Sequence, residues 1–258
     1  MQSRQENKKP PALRQQGQAK QNFKHVNDNM KGMKCQVKVL IACEESQRVC
    51  SAFRELGHEA YSCDVIECSG GHPEWHIKDD VLKYINGRCE FKTCDGETHA
   101  IDGKWDLLIA HPPCTYLSNA GARHLWKGHV LNQERYQKGL KGKIFFMNFY
   151  NADCEKICIE NPIPSRIFEL PKYTQIIQPY EHGHPYSKKT CLWLKNIPKL
   201  KPTDTVEPIG TFCPSGSYSG KHNNRHRGLF TKDRARNRSK TFPGIARAMA
   251  EQWGGKIN

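Results

Sequence analysis

Four short apolar segments, each followed by a polar or proline-containing turn, constrain the fold of this chain most strongly. They are VKVLIA at 37–42, EAYSC at 59–63, WDLLIA at 105–110 and KICIE at 156–160. Apolar runs of this length are typical of strands that are buried on both faces of a parallel sheet. Between the first two runs, the apolar spacing of residues 47–56 predicts a helix that ends at Gly57. The opening is therefore predicted to be a β-α-β unit.

The remaining segments extend this pattern. Residues 131–154 predict a long helix, residues 175–180 and 190–194 predict a terminal antiparallel strand pair, and residues 245–253 predict a final short helix. Strands that alternate with helices indicate an α/β fold, with a mostly parallel sheet covered on both faces. Ligands of such sheets lie at the carboxyl ends of the strands, so the candidate site residues are those that follow each strand.

Positive charge is concentrated at the two ends of the chain. Of the net charge of +14, residues 1–34 carry +6, residues 201–258 carry +7, and the middle carries only +1. We expect residues 1–34 to be a disordered basic tail, because they hold few apolar side chains, and we expect residues 35–200 to be a catalytic domain. Basic extensions on a nearly neutral body are typical of a chain that binds nucleic acid.

The basic segment at 221–240 carries eight Lys or Arg against one Asp and is the candidate for phosphate contacts, the alternative being a solvated loop. The arginines predicted to contact DNA are Arg225, Arg227, Arg234, Arg236 and Arg238.

The sequence shows neither a membrane-spanning run nor a signal-peptide pattern, which favours a soluble, intracellular protein. Several of the 12 cysteines lie inside apolar runs, where a reduced thiol packs as a small hydrophobe. Zinc ligation is one possible role of Cys63, Cys68, Cys89 and Cys94, which are spaced in pairs with His72 and His76 between them. The gaps fit zinc ligation poorly, so no metal is predicted.

The strand ends carry the following candidates: Cys43-Glu44-Glu45-Ser46, Asp64, Asp80, His111-Pro112-Pro113-Cys114 and Glu160-Asn161-Pro162. An acidic residue that ends the second strand of a nucleoside-binding sheet accepts hydrogen bonds from ribose hydroxyls, and Asp64 has that position. The alternative role for Asp64 is a turn or helix cap.

Cys114 is the candidate nucleophile. It follows two prolines at a strand end, which holds it on a rigid, non-helical loop. Glu160 ends the neighbouring predicted strand and is expected to face it. A thiolate and a carboxyl group are the pair needed to add to a pyrimidine ring while protonating it.

The order of these motifs resembles that of DNA cytosine-5 methyltransferases, closest to their short phage-type branch. The motifs are ACEESQ, Asp64, Asp80, PPC at 112–114, ENP at 160–162 and HGHPYSKKT at 182–190, with a weaker echo at 241–253. The resemblance implies a Rossmann-like class I fold that binds S-adenosylmethionine, DNA as the partner, and a bacterial cytoplasmic location if a phage encodes the chain.

The resemblance also implies residue roles. Cys114 would attack carbon 6 of a cytosine flipped out of the duplex, and Glu160 would protonate or hydrogen-bond ring nitrogen 3. Asn161 and Lys188 complete the catalytic set, and Lys188-Lys189 would steady the base and its phosphate. The residues implied to bind the cofactor are Ala42, Cys43, Glu44, Glu45, Ser46, Asp64, Val65, Asp80, Val81, His111 and Pro112.

The chain departs from the family in four places. Pro162 stands where many members have valine. Glu44-Glu45-Ser46 replaces the glycines of the first turn, lysines replace the bidentate arginines at 188–189, and no large target-recognition domain follows the sheet. Two other readings fit the same residues: a methyltransferase for a free cytidine nucleotide or RNA, and a non-catalytic nucleic-acid-binding relative.

Overall fold

A seven-stranded sheet forms the centre of the computed structural model, which describes residues 35–122, 124–212 and 234–257, with only the backbone of 234–236. Residues Gln36–Gly255 form one compact unit. The predicted tail at 1–34 lies outside the described residues, as does most of the basic segment.

The described chain opens with the predicted β-α-β unit, formed by residues 38–64. The strands are β1 Lys38–Ala42, β2 Glu59–Asp64, β3 His76–Lys78, β4 Cys89–Lys92, β5 Thr98–Ile101, β6 Leu107–Ala110, β7 Trp126–Lys127, β8 Val130–Leu131, β9 Ile157–Pro162, β10 Gln175–Ile177 and β11 Thr190–Lys195. The helices are α1 Arg48–Glu55, α2 Asn119–Ala122, α3 Gln133–Tyr150, α4 Arg234–Ser239 and α5 Pro243–Met249, which continues as a π-helical turn over Ala250–Gly254.

The strand order in the sheet is β10-β11-β9-β6-β1-β2-β3. β1 pairs in parallel with both β2 and β6, and β6 pairs in parallel with β9. β11 is antiparallel to both of its neighbours, β9 and β10. The mostly parallel sheet with an antiparallel pair near one end confirms the predicted α/β architecture.

Alternation along β1 places its side chains on two apolar faces. Leu40 points to the face covered by α3 through Phe146 and Phe149. Val39 and Ile41 belong to the opposite face, which is covered by α1 and α5. All the β1 side chains from Val39 to Ala42 are fully buried, which explains why this strand reads as a continuous apolar run.

The structure corrects the prediction that Asn161-Pro162 stops the fourth long strand. β9 continues through Pro162, where Asn161 and Pro162 pair with Cys191 and Thr190 of β11. Proline is tolerated here because the last residue of a strand can dispense with one ladder donor.

Other boundaries shift by a few residues. The long helix begins at Gln133 instead of 131, since Leu131 belongs to the β7-β8 hairpin, and it ends at Tyr150. β10 ends at Ile177, where Pro179 begins a short 3₁₀ turn. Among the described residues, no helix is both long and apolar enough to cross a membrane.

Candidate active site

The site lies where the chain reverses its direction of progress through the sheet. From β1 the chain moves outward to β2 and β3, and then returns to place β6 on the other side of β1. The carboxyl ends of β1 and β6 therefore diverge into loops on opposite sides of a crevice, which is where open α/β sheets bind ligands. The loop after β1 begins at Cys43, and the loop after β6 begins at His111.

The Cys114 loop is fixed by hydrogen bonds at both of its ends. The side-chain amide of Asn161 donates to the carbonyl oxygen of Pro112 at 3.0 Å. The backbone N–H groups of Leu117 and Ser118 both donate to the carbonyl oxygen of Cys114, at 3.1 and 3.0 Å. Cys114 thus sits between an anchored diproline segment and a tight turn.

Further along the same loop, one arginine of α3 joins two backbone carbonyls. The Nη2 atom of Arg135 donates to the oxygens of Thr115 and Gly121, each at 3.2 Å. Gly121 has no room for a side chain, since an added Cβ would lie 2.2 Å from the Thr115 oxygen. The loop that carries the thiol is therefore closely packed against α3.

Cys114 follows β6 and Glu160 lies in the neighbouring parallel strand β9, so both belong to the same edge of the sheet. Burial raises the pKa of the Cys114 thiol, and the negative charge of Glu160 raises it further, while Lys188 and Arg238 act in the opposite direction. The three charged groups come from β9, the segment before β11 and α4, and all three act electrostatically on the thiol in the loop after β6.

A buried hydrogen-bond network surrounds the Glu160 carboxylate. His111 Nδ1 lies 2.9 Å from Glu160 Oε2, and the Thr241 hydroxyl donates to the same oxygen at 3.1 Å. The side chains of His111 and Glu160 are only 10% and 11% exposed. Burial alone would raise the pKa of Glu160, but the His111 contact outweighs it, and with Lys188 and Thr241 lowers that pKa to about 2.

Glu44, implied to bind the cofactor, has a structural role in addition. Its two carboxylate oxygens accept hydrogen bonds from the backbone N–H groups of Val49 and Cys50 at 2.7 and 3.1 Å, which caps the first turn of α1. Glu44 is 4% exposed, and burial raises its pKa. The acidic turn after β1 thus supplies a side-chain cap to α1.

Asp64 and Asp80 flank the loop after β1. Burial raises the pKa of the Cys43 thiol, and the charges of Asp64, Cys63 and Asp80 raise it further, so both carboxylates lie near that loop. Each also accepts a local backbone hydrogen bond: Asp64 from Ile66 at 3.3 Å, and Asp80 from Leu82 at 3.1 Å. Both carboxylates therefore lie at the edge of the crevice, and each also accepts a hydrogen bond from a backbone N–H group two residues later.

Other residues implied to bind the cofactor lie on the same edge. Val65, directly after β2, is 69% exposed, while Val81 is buried at the start of a 3₁₀ turn. Ala42 is the last residue of β1, and Glu45 and Ser46 follow it in the turn before α1. Pro112 presents its carbonyl to Asn161, as described above.

Lys188 reaches the site, whereas Lys189 is exposed. Lys188 Nζ donates to the carbonyl oxygen of Arg238 at 2.9 Å and lies 5.8 Å from the centre of the Phe242 ring. Arg238 itself is exposed on α4. Arg225 and Arg227 lie outside the described residues, as do the side chains of Arg234 and Arg236.

The two histidines of the possible zinc site, His72 and His76, form hydrogen bonds with other protein groups. His76 bonds to Ser62 and to the carbonyl of Ile66, and His72 bonds to Glu74. Among the described residues, no group of three or more Cys, His, Asp or Glu side chains could hold a metal ion.

Sequence reasoning missed two partners of Glu160. His111 was assigned to cofactor binding, although the structure pairs it with the carboxylate. Thr241 was named only as the start of a weak motif echo, and 81 residues separate it from Glu160. No local pattern signals such a pairing, because it arises from α5 folding back over β1.

Comparisons with known proteins give little beyond this geometry. No family model and no curated protein matches the chain. One solved structure, a methyltransferase from Entamoeba histolytica, is similar with a TM-score of 0.36 and 14% identity, covering 70% of this chain and 59% of that one. The chain thus spans less than two thirds of that protein, and its function has to be argued from its own residues.

Proposed function

We propose that this chain transfers a methyl group from S-adenosylmethionine to carbon 5 of cytosine in DNA. The observation that carries the proposal is that the Cys114 loop and Glu160 lie at the carboxyl ends of adjacent parallel strands, with Asn161 hydrogen-bonded to Pro112 of that loop. A non-catalytic binder would have no use for a buried thiol and carboxylate at one strand edge.

The chemistry of a pyrimidine requires such a pair. Carbon 5 of cytosine is a weak nucleophile until a thiolate adds to carbon 6 and a proton reaches ring nitrogen 3. Cys114 would form the bond to carbon 6, and Glu160 would deliver the proton or hydrogen bond. Because both reacting atoms lie inside a base stack in duplex DNA, the target base has to be flipped out before it can enter.

The crevice between the β1 and β6 loops suits an adenosine-containing methyl donor. Asp64 and Asp80 provide carboxylates at the ends of successive elements, which match ribose hydroxyls and an adenine amine. The exposed Val65 provides an apolar surface beside Asp64. These residues would hold S-adenosylmethionine, whose sulfonium supplies the methyl group. The mostly parallel sheet with its terminal antiparallel pair is consistent with a Rossmann-like methyltransferase fold.

Positive charge near the site favours a polyanionic substrate. The charges of Lys188 and Arg238 lower the pKa of the Cys114 thiol, and α4, which carries Arg234 and Arg236, lies within the basic segment at 221–240. Phosphate contacts of this kind bind DNA with little sequence preference. The proposal therefore has the DNA backbone contact α4.

The deciding experiment is incubation of the chain with tritiated S-adenosylmethionine and unmodified duplex DNA, followed by digestion and nucleoside separation. We expect label in 5-methyldeoxycytidine. Parallel reactions with dCMP and with RNA test the other substrates. Label only in dCMP or RNA, or label in adenine, would contradict the proposal, as would an absence of label in all three.

A further inference from the structure

His111 is the only described residue whose ring nitrogen lies in hydrogen-bonding contact with the Glu160 carboxylate, and it sits three residues before Cys114. It lies at the first position after β6, and the stiff Pro112-Pro113 segment follows it. The histidine, the carboxylate and the thiol thus share one rigid frame. A role for His111 in the reaction rests on the proposed function.

The charge state of Glu160 creates a chemical requirement. A carboxyl group has to be protonated to donate a proton to ring nitrogen 3, but the contacts of Glu160 lower its pKa to about 2, so it rests as a carboxylate. A free carboxylate cannot act as the acid at neutral pH. The proton must come from a neighbour that holds one under these conditions.

The surroundings of His111 favour its protonated form. Burial by itself lowers the pKa of His111, but the hydrogen bond and charge of Glu160 and the charge of Glu44 outweigh burial and raise it, with Lys188 opposing them. The groups that face the pair are Glu44 from the loop after β1, Lys188 from the segment before β11, Cys114 from its own loop, and the Thr241 hydroxyl. The ring and the carboxylate hold one proton between them as an ion pair.

The second ring nitrogen points to a ligand. His111 Nε2 is fully buried, and none of the described residues hydrogen-bonds to it. Buried polar atoms are paired in the great majority of cases, so an unsatisfied one beside a nucleophile is typical of a site that awaits its substrate or an ordered water. The ring is therefore fixed through Nδ1 only, by the carboxylate that the reaction uses.

We propose that His111 is the positioning residue that stores the proton which Glu160 delivers to ring nitrogen 3 of the target cytosine. The proton moves from Nδ1 to the carboxylate, giving neutral imidazole beside a carboxylic acid, and from there to ring nitrogen 3. The Cys114 thiol gives its proton to solvent, and the resulting thiolate forms its bond to carbon 6 as nitrogen 3 is protonated; the thiolate takes a proton back from solvent after the final elimination. The electron pair of the 5,6 double bond moves between carbons 4 and 5, and the pair of the double bond between carbon 4 and nitrogen 3 moves to nitrogen 3. The positive charge of the imidazolium and the negative charge of the thiolate are both consumed, so the adduct is neutral.

The cycle closes without another reagent. Carbon 5 takes the methyl group, which leaves the sulfonium of the donor as a thioether. Loss of the carbon 5 proton reforms the 5,6 double bond and expels the thiolate, while nitrogen 3 returns its proton to the Glu160 and His111 pair. One proton is released to solvent in each turnover, and His111 ends as it began.

The test compares wild type with His111→Asn, whose amide can still donate to Glu160 but cannot store a proton. The matched control is His99→Asn. His99 lies on the β4-β5 hairpin, is partly buried, and hydrogen-bonds to Tyr61 and Thr93. We expect His111→Asn to lower kcat at neutral pH by about 10²- to 10⁴-fold, the usual range for general acid catalysis, with the KM for DNA changed by less than about 2-fold. The alkaline limb of the kcat profile, set in wild type by loss of the His111 proton, should move to lower pH.

Two further readouts do not depend on methyl transfer. Exchange of tritium from carbon 5 of labelled cytosine in DNA, without a methyl donor, reports the addition step alone and should fall in parallel with kcat. Nuclear magnetic resonance of ring-labelled histidine in the wild type should show His111 titrating above its ordinary pKa of about 6.5, and Glu160→Gln should bring that value down. This measurement holds even if His111→Asn fails to fold.

The outcomes separate the two proposals. A wild type that neither methylates cytosine nor exchanges its carbon 5 hydrogen overturns the proposed function and this inference together. A wild type that methylates DNA beside a His111→Asn variant with an unchanged kcat profile overturns this inference alone. The same holds if His111 in the wild type titrates below its ordinary pKa.

Discussion

The side-chain amide of Asn161 donates a 3.0 Å hydrogen bond to the carbonyl oxygen of Pro112, which ties β9 to the loop that carries Cys114. Asn161 is 2% exposed. Its neighbour in sequence, Glu160, bonds to His111, the neighbour of Pro112. Two successive residues of β9 thus hold two successive residues of the loop after β6, the loop that carries Cys114.

Removing the Asn161 amide should make the loop that carries Cys114 more mobile while leaving the thiol in place. We expect Asn161→Ala to destabilise the fold by about 1–3 kcal/mol, because the Pro112 carbonyl loses a buried partner. The rate of covalent adduct formation should fall more than DNA affinity does. Gln36→Ala is the control, since the side-chain amide of Gln36 donates a similar bond to the carbonyl oxygen of Gly57 at an exposed position. Urea denaturation and single-turnover kinetics measure the two effects, and equal adduct rates in both variants would contradict the prediction.

Cys114→Ser should abolish methyl transfer while leaving cofactor binding nearly intact, because a hydroxyl is a far weaker nucleophile than a thiolate at neutral pH. DNA that contains 5-fluorocytosine should form a covalent adduct with wild type but not with the variant, since fluorine blocks the final elimination. Cys89→Ser, on the β4-β5 hairpin, is the matched control. Retention of more than a few per cent of turnover by Cys114→Ser would remove this residue from the mechanism.

Asp64→Ala should weaken S-adenosylmethionine binding by about 1–3 kcal/mol, the usual cost when buried polar groups lose a partner. Titration calorimetry measures the change, with the exposed Asp102→Ala as the control. Since Asp64 also accepts a hydrogen bond from Ile66, the unfolding free energy of the variant has to be measured alongside. Lower stability with unchanged affinity would assign Asp64 to capping alone.

DNA affinity should depend on the arginines of α4. We expect Arg234→Gln, Arg236→Gln and Arg238→Gln together to lower affinity for all sequences alike and to make the salt slope shallower by roughly 2–3 units, at about 0.9 per lost phosphate contact. Lys38→Gln, Lys104→Gln and Lys156→Gln form a control of equal charge, since these lysines lie at or before the amino ends of β1, β6 and β9. Removal of residues 1–30 should cost less than the arginine triple. If the arginine triple bound as tightly as wild type between about 50 and about 200 mM salt, the DNA surface would lie nearer Lys188 and Lys189.

The His111 and Glu160 pair should also make stability depend on pH. Because the pKa of Glu160 is lowered in the folded state, this residue stabilises the fold above its unfolded pKa of about 4.3, and that stability is lost as the pH falls toward the folded pKa. Because the pKa of His111 is raised in the folded state, this residue stabilises the fold below its unfolded pKa of about 6.5, and that stability is lost as the pH rises through the folded pKa. The stability difference between wild type and His111→Asn should therefore be largest from about pH 4.5 to 6.5. Urea denaturation at several pH values measures it, and a difference that stays constant up to about pH 9 would sink this prediction.

The sheet could be predicted from sequence because its strands are buried on both faces. Val39 to Ala42 are fully buried, and such a strand has to be apolar along its whole length. β3 was missed for the opposite reason, since its three residues, His76 to Lys78, carry two polar side chains and show no such run. The end of β9 was misplaced because Pro162 was read as a stop, whereas an antiparallel neighbour can pair with a terminal proline.

The candidate site was predictable only where it follows strand ends. Cys114, Glu160, Asp64 and Asp80 could be named as candidates because parallel strands place their carboxyl ends at one edge. The contact between Thr241 and Glu160 depends on how α5 returns to the sheet, and the contact between His111 and Glu160 depends on which way a ring turns. Neither is encoded in residue spacing, since each is a product of long-range packing.

The position of α5 bears on the order in which the protein matures on the ribosome. Phe242, Ile245 and Met249 cover Val39 and Ile41 on a strand made some 200 residues earlier, and Thr241 completes the Glu160 network. During synthesis, β1 therefore emerges with one apolar face only partly covered, by α1, until α5 has been made. A nascent chain that has not yet reached α5 exposes apolar side chains of the sheet and lacks the Thr241 contact to Glu160.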